Sequence, residues 1–371
     1  MKRTLLYIAF VIFLWAARTP AQVNPNFNVN LTIDFSSADG MVLLCERQMN
    51  NARRVAEMPG NQIAASTSLV LARTDKPFEH FVGELELLRD NFRTGDDLYG
   101  LSETRAFLPQ VKALLAEMKK RSVARKVVAT IESFFPSSAR ISTTIPVYVV
   151  AMGHENAAAF VRRVVWKDNH PIFVGPNEGS PVVVLNLVRM VQYIPSIDVQ
   201  FIETLSTLAH ESFHAVFSIY QQSSPVWNSI HASGTPSRAL GELVQNEGIA
   251  YYLSMQQQGY LEHPPAEWFR QTNEAVRSLN DVMAEMQSAG LTNERARELM
   301  LNANLSGSVE KNYGATAGVR MAYEIDRRLG RPALTETIAR GMSDFFEKYR
   351  EVSRKYDDVP KLGDEAVKGV Q

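Results

Sequence analysis

Cysteine is nearly missing from this chain: Cys45 stands alone among 371 residues. A single thiol forms no intrachain disulfide and excludes a zinc site built from several cysteines. Its setting, Met41-Val42-Leu43-Leu44-Cys45, reads as a buried structural thiol rather than a nucleophile. An excess of either charge is missing too, since 39 Lys and Arg stand against 40 Asp and Glu for a formal charge of −1. The densest basic run, Lys119-Lys120-Arg121, closes an amphipathic stretch and reads as a solvated helix face. Nucleic acid is therefore not expected as a partner. Internal repeats, low-complexity tracts, glycine-rich phosphate loops and nucleophile elbows are likewise lacking.

The apolar run from Leu5 to Trp15 falls short of the roughly 20 residues that cross a bilayer. Lys2 and Arg3 precede it, and Ala16-Ala17-Arg18-Thr19-Pro20-Ala21 follows, with Thr19 and Ala21 placed for cleavage before Gln22. That is the build of a secretory signal peptide, and residues 1–21 are set aside as one. An uncleaved anchor closed by Arg18 is the alternative. The expected protein is exported, to a bacterial periplasm or beyond, without stable membrane insertion once the signal is removed.

What remains, 22–355, reads as a single α+β domain that is mostly helical, with 356–371 as a polar, fraying tail. Residues 33–140 repeat apolar positions at helical spacing, as in Phe78, Phe81, Leu85 and Leu88. Between 145 and 187 the character changes. Ile145–Val150, Ile172–Val174 and Val182–Leu187 are short and β-branched, which predicts a small three- to four-stranded sheet. The segment 145–220 thus holds the sheet and the helix after it, and 236–355 forms a helical C-terminal part separated by a loop at 222–236.

Within that helix the residues His210-Glu211-Ser212-Phe213-His214 carry chemistry. Positions i and i+4 lie one turn apart on one helix face, so both imidazoles reach a single metal ion. Glu211 is rotated about 100° from His210, which puts its carboxylate beside the ion rather than on it. A water on that ion loses its proton more readily, and the neighbouring carboxylate accepts it. The flanks support a helix over 201–220: Ile202, Leu205, Ala209, Phe213, Val216 and Tyr220 form an apolar stripe. Beside it Glu203, Thr207, His210, His214 and Ser218 form a polar one. With 7 histidines in the chain, a chance match is on the order of one in a hundred.

Catalytic zinc needs a third protein ligand and leaves the fourth position to water. Downstream, Thr235 as N-cap and Pro236 in the first turn open another helix, which Gly259 ends. It offers two carboxylates, Glu242 and Glu247. The combination of His-Glu-x-x-His with Asn246-Glu247-Gly248-Ile249-Ala250 resembles the gluzincin metallopeptidases. The resemblance implies a Zn2+ cofactor, Glu247 as third ligand, a zincin-like fold and a peptide or protein substrate. The interval from His214 is longer than in the best-known gluzincins, which keeps Glu242 open. Ile33-Asp34-Phe35-Ser36 and Tyr313-Gly314-Ala315-Thr316-Ala317-Gly318 also look like an uncharacterised bacterial family of zinc-dependent peptidases.

Amide hydrolysis also calls for a donor to the oxyanion. Gluzincins often use Tyr or His there, and Tyr313, in a glycine-containing turn before a helix, is the first candidate over Tyr251, Tyr252, Tyr323 and His231. Val182–Leu187 is a candidate edge strand for an extended peptide, or else an internal one. Two rival functions stand beside a peptidase: a non-catalytic zinc-stabilised binding protein, and a metallohydrolase of other amides or esters.

Overall fold

The structure is a computed structural model that describes residues 24–91, 97–175, 178–192, 194, 196–304 and 311–371. The expected signal segment, 1–21, lies outside the described residues. The chain is α+β and mostly helical, as its patterning indicates. The sheet holds five strands: β1 (Phe27–Asp34), β2 (Ile141–Val150), β3 (Ala159–Lys167), β4 (His170–Phe173) and β5 (Ser180–Asn186). Their spatial order is β1-β2-β5-β3-β4. The pairs β1–β2 and β2–β5 are parallel, whereas β5–β3 and β3–β4 are antiparallel.

Two strands exceed the sequence expectation. β1 lies almost wholly ahead of the stretch read as helical, 33–140, and alternates cleanly: Phe27, Val29 and Leu31 are buried while Asn28, Asn30 and Thr32 are exposed. β3 carries Arg162 and Arg163 in its middle, which hid its apolar residues. The structure also decides the place of β5. Its residues from Pro181 to Asn186 are all buried, and it lies between β2 and β3, so it is an internal strand and not an edge. Besides the outer sides of β1 and β4, part of β3 is a free margin, because β4 pairs only with Val164 to Lys167. The half from Ala159 to Arg162 has β5 on one side and no strand on the other among the described residues.

Three helices build the rest of the frame. The helix Ile197–Ser223 packs beneath β2, β3 and β5 and against the helix Pro236–Gln257, which in turn crosses the helix Tyr313–Leu329. That last crossing is unusually close. A Cβ added at Gly318 would stand 2.1 Å from the Val244 carbonyl oxygen, and one at Gly248 would stand 2.3 Å from the Gly318 carbonyl carbon. Glycine at both positions lets two backbones touch.

Two segments are better anchored than their composition suggests. The expected loop at 222–236 contains the helix Pro225–Ala232, held by Trp227, which is fully buried and donates from Nε1 to the Ile338 carbonyl at 2.8 Å. The expected fraying tail instead docks on the body through buried Val359, Leu362, Ala366, Val367 and Val370. No described helix is long and apolar enough to cross a membrane.

Candidate metal centre

The helix Ile197–Ser223 turns one face into the core through Leu205, Leu208, Ala209, Phe213, Val216 and Phe217. Ile202, read as part of that stripe, is exposed. The polar stripe beside it holds His210 and His214, whose rings stand nearly perpendicular at 4.6 Å. Their Nε2 atoms face each other at 3.0 Å. The helix Pro236–Gln257 starts as expected, with the Thr235 side chain accepting from the Arg238 backbone N–H at 3.3 Å and Pro236 in the first turn. It brings Glu247 Oε2 to 3.4 Å from His214 Nε2 and 3.7 Å from His210 Nε2.

Two nitrogens and one carboxylate oxygen therefore form a triangle with sides of 3.0, 3.4 and 3.7 Å. Tetrahedral zinc, with bonds of about 2.0–2.1 Å, separates its ligand atoms by about 3.3 Å. The donor set fits zinc in kind and in spacing, and one position is left for a non-protein ligand. It is the one cluster among the described residues with this property.

Each corner has a holder. Asn246 Oδ1 accepts from His214 Nδ1 at 2.9 Å, and the Ala250 carbonyl accepts from the His210 ring. Both bonds turn Nε2 toward the triangle, as ring-orienting partners do in metal sites. The Asn304 side chain stands by the Glu247 carboxylate and favours its charged form.

The electrostatics agree. Burial, reinforced by the charge of His214, holds His210 down at about 3, so it is neutral. Burial opposes charge on His214 as well, but the charge and hydrogen bond of Glu247 outweigh it and lift His214 to about 9. Burial pushes Glu247 up, yet the two histidines and Asn304 prevail and hold it below the usual carboxylate range. Glu211 is raised to about 7 by burial, with His214 and Arg162 pulling it down and Glu247 pushing it up. The cluster thus favours a positive charge at its centre, a demand that a divalent cation meets.

Residues 52–358 match a family described as "Putative zinc dependent peptidase (DUF5700)". The chain belongs to this family. No curated protein and no solved structure matches it. Zinc is the cofactor of this peptidase family, and the triangle lies inside the matched span.

Other residues named from the sequence fall elsewhere. Glu242, the rival ligand, is turned to the opposite end of the helix pair, where it accepts from Gln221 Nε2 at 2.7 Å and meets His231 Nε2 at 3.1 Å. His231 is accordingly occupied there. The structure does not bring Tyr313 to the triangle. Its ring is buried and its hydroxyl donates to the Leu299 carbonyl at 2.8 Å, so that donor is already used. Tyr313 instead ties the helix Asn293–Asn302 to the start of its own helix. Tyr251 is the tyrosine beside the metal cluster: its ring packs edge-on against His210 at 4.6 Å. Burial, then the charges of Glu247 and Glu211, raise its hydroxyl to about 12, so it stays a donor at neutral pH.

Sequence reasoning missed Asn304 and Arg162. Neither has a local signal, because each reaches the site from a different element across the fold. Asn246 was quoted only as part of a motif, though its spacing beside Glu247 could have marked it as a holder.

Proposed function

We propose that this member of the zinc peptidase family is a gluzincin-type enzyme in which His210, His214 and Glu247 hold the zinc and Glu211 is the general base. The observation that carries the proposal is the triangle of donor atoms with a buried carboxylate one residue along from its first corner. Zinc bound there supplies Lewis acidity, which polarises the scissile carbonyl and acidifies a water. Glu211 accepts the proton of the attacking water and hands it to the leaving nitrogen. Burial supports that exchange, because it brings the Glu211 carboxyl nearer to neutral pH, where it can both take and give a proton. Tyr251, in place of Tyr313, donates its hydroxyl to the developing oxyanion.

The free margin of β3 is proposed to take the substrate. An extended peptide adds to such an edge by backbone hydrogen bonds. Here the edge lies over the helix that carries His210 and Glu211. Export is a separate proposal and rests on the N-terminal segment alone.

The test is the zinc-loaded Glu211→Gln variant. It keeps the metal and loses activity on peptides by about 10²–10⁴-fold. A variant that keeps both metal and full activity would remove Glu211 from the mechanism.

A further inference from the structure

Two adjacent arginines on β3 are treated very differently by the fold. Arg163 is fully engaged: it donates to the Glu178 and Gly179 carbonyls at 2.7 and 3.0 Å and to Ser218 Oγ at 3.4 Å. It fastens the β3 margin to the loop before β5 and to the helix Ile197–Ser223. Arg162 makes one long bond, to the carbonyl of its own neighbour Val161 at 3.3 Å. No acidic side chain among the described residues pairs with it. Its guanidinium instead lies over the rings of Phe160 and Phe173, at 5.1 and 5.6 Å.

Arg162 differs in this from Arg189, which pairs with Glu103, from Arg320, which pairs with Glu324, and from Arg331, which pairs with Asp326. Removing a guanidinium partly from water without a counter-charge costs free energy. Burial pushes the Arg162 guanidinium below its usual pKa, and the charge of Glu211 opposes that shift. The two aromatic faces fix the plane of the guanidinium and favour its charge, yet they occupy none of its N–H donors. A planar fork of donors held in this way matches a carboxylate in two parallel hydrogen bonds.

Its location gives the site a use. Arg162 ends the unpaired half of β3, the strand that lies over the helix Ile197–Ser223 carrying His210 and Glu211. We infer that Arg162 is a specificity-determining residue that binds a carboxylate of a substrate laid along the unpaired half of β3. The carboxylate is that of a free C-terminus or of an Asp or Glu side chain, and the two sources share the same chemistry. The inference rests on the peptidase reading above and deepens it.

The experiment uses the zinc-loaded full chain and a set of internally quenched hexapeptides in three forms. One form has a free C-terminal carboxylate, one is amidated, and one is amidated with Asp in place of Asn at each position in turn. Wild type is expected to prefer one carboxylate-bearing form over its neutral partner by about tenfold or more in kcat/KM. In Arg162→Gln that ratio falls toward one, and Arg162→Lys restores part of it. A merely structural role would lower all three forms together and leave the ratio unchanged. Calorimetric binding of the same peptides to Glu211→Gln, with and without Arg162→Gln, reads carboxylate selectivity without turnover. Wild-type cleavage of all forms at equal rates, or a preference that persists in Arg162→Gln, overturns the inference while leaving the peptidase reading intact. Selective carboxylate binding without cleavage of any peptide upholds Arg162 and overturns the peptidase reading. Neither cleavage nor selective binding overturns both.

Discussion

Substituting Gly318 by alanine tests how the metal corner supplied by Glu247 is held. The added Cβ would stand 2.1 Å from the Val244 carbonyl oxygen and 2.8 Å from Gly248 Cα, whereas real Cβ contacts stay above 3.0 Å. Both obstacles are backbone, so no side chain can swing aside. The two helices must part by about 0.9 Å. Overpacking of this kind costs about 1–3 kcal/mol. The upper end applies, because the obstruction is rigid. Alanine returns about 1 kcal/mol of helix propensity, leaving a net loss of about 2 kcal/mol. For a chain of this size that lowers Tm by about 3 °C. The metal site feels the shift directly. If the helix Pro236–Gln257 moves, Glu247 leaves the triangle by more than the ~0.2 Å that a metal site tolerates. If the helix Tyr313–Leu329 moves instead, it takes with it the Ala303–Asn304 turn. That turn is docked by the Ala315 N–H bond to the Ala303 carbonyl at 3.0 Å, so Asn304 loosens its hold on Glu247. Either way zinc affinity falls at least about tenfold. Thermal melts and chelator-competition titrations read the two effects. Gly83→Ala serves as control: its Cβ would meet nothing within 4 Å in the helix Phe78–Asp90, so it gains about 0.5–1 kcal/mol. A Gly318→Ala protein that melts at or above wild type and binds zinc as tightly would show that the helix contact at Gly318 does not hold Glu247 in place.

Removing the Asn246 or Asn304 side chain as alanine weakens zinc by about 10–100-fold in the same titration, since each orients one ligand; an unchanged affinity in both would show that the ligands orient themselves. Tyr251→Phe lowers kcat by about 10²–10³-fold with zinc stoichiometry intact. By contrast Tyr313→Phe leaves kcat alone and costs about 1 kcal/mol in denaturant unfolding, because the buried Leu299 carbonyl loses its donor. The reverse pattern would return the oxyanion role to Tyr313. Burial, opposed by Arg105 and aided by Glu46, raises the Cys45 thiol to about 11. At pH 8 only about one molecule in a thousand is then thiolate, so iodoacetamide labels native protein on the order of 100-fold more slowly than unfolded protein. Equal rates would place Cys45 in contact with solvent.

The parts of the fold that rest on local spacing were readable from the residues alone. His210 and His214 meet because helical geometry puts i and i+4 together, and Thr235, Pro236 and Gly259 bound their helix by local backbone preferences. What needed the structure depends on contacts between distant segments. Glu247 and Glu242 lie on the same helix, and only the crossing against Ile197–Ser223 decides which of them faces the histidines. Tyr313 opens the helix Tyr313–Leu329, and a carbonyl 14 residues earlier in the chain accepts its hydroxyl. β1 shows its period of two plainly, and the continuous apolar run of β5 already marks a strand covered on both faces. The period of β1 is passed over beside the helical pattern that follows it, whereas the β5 run reads as a strand whose place at the edge or inside the sheet stays open. Arg162 and Asn304 carried no such signal, because nothing near them in sequence says where they point.

The proposed site holds one zinc ion between His210, His214 and Glu247. Zinc per chain, measured by elemental analysis after chelation and reloading, tests this in wild type, His214→Ala, Glu247→Ala and Glu242→Ala. One equivalent is expected in wild type and in Glu242→Ala, and well below one in the other two. A full equivalent in Glu247→Ala, with loss in Glu242→Ala, would contradict the assignment and move the third ligand to the other carboxylate.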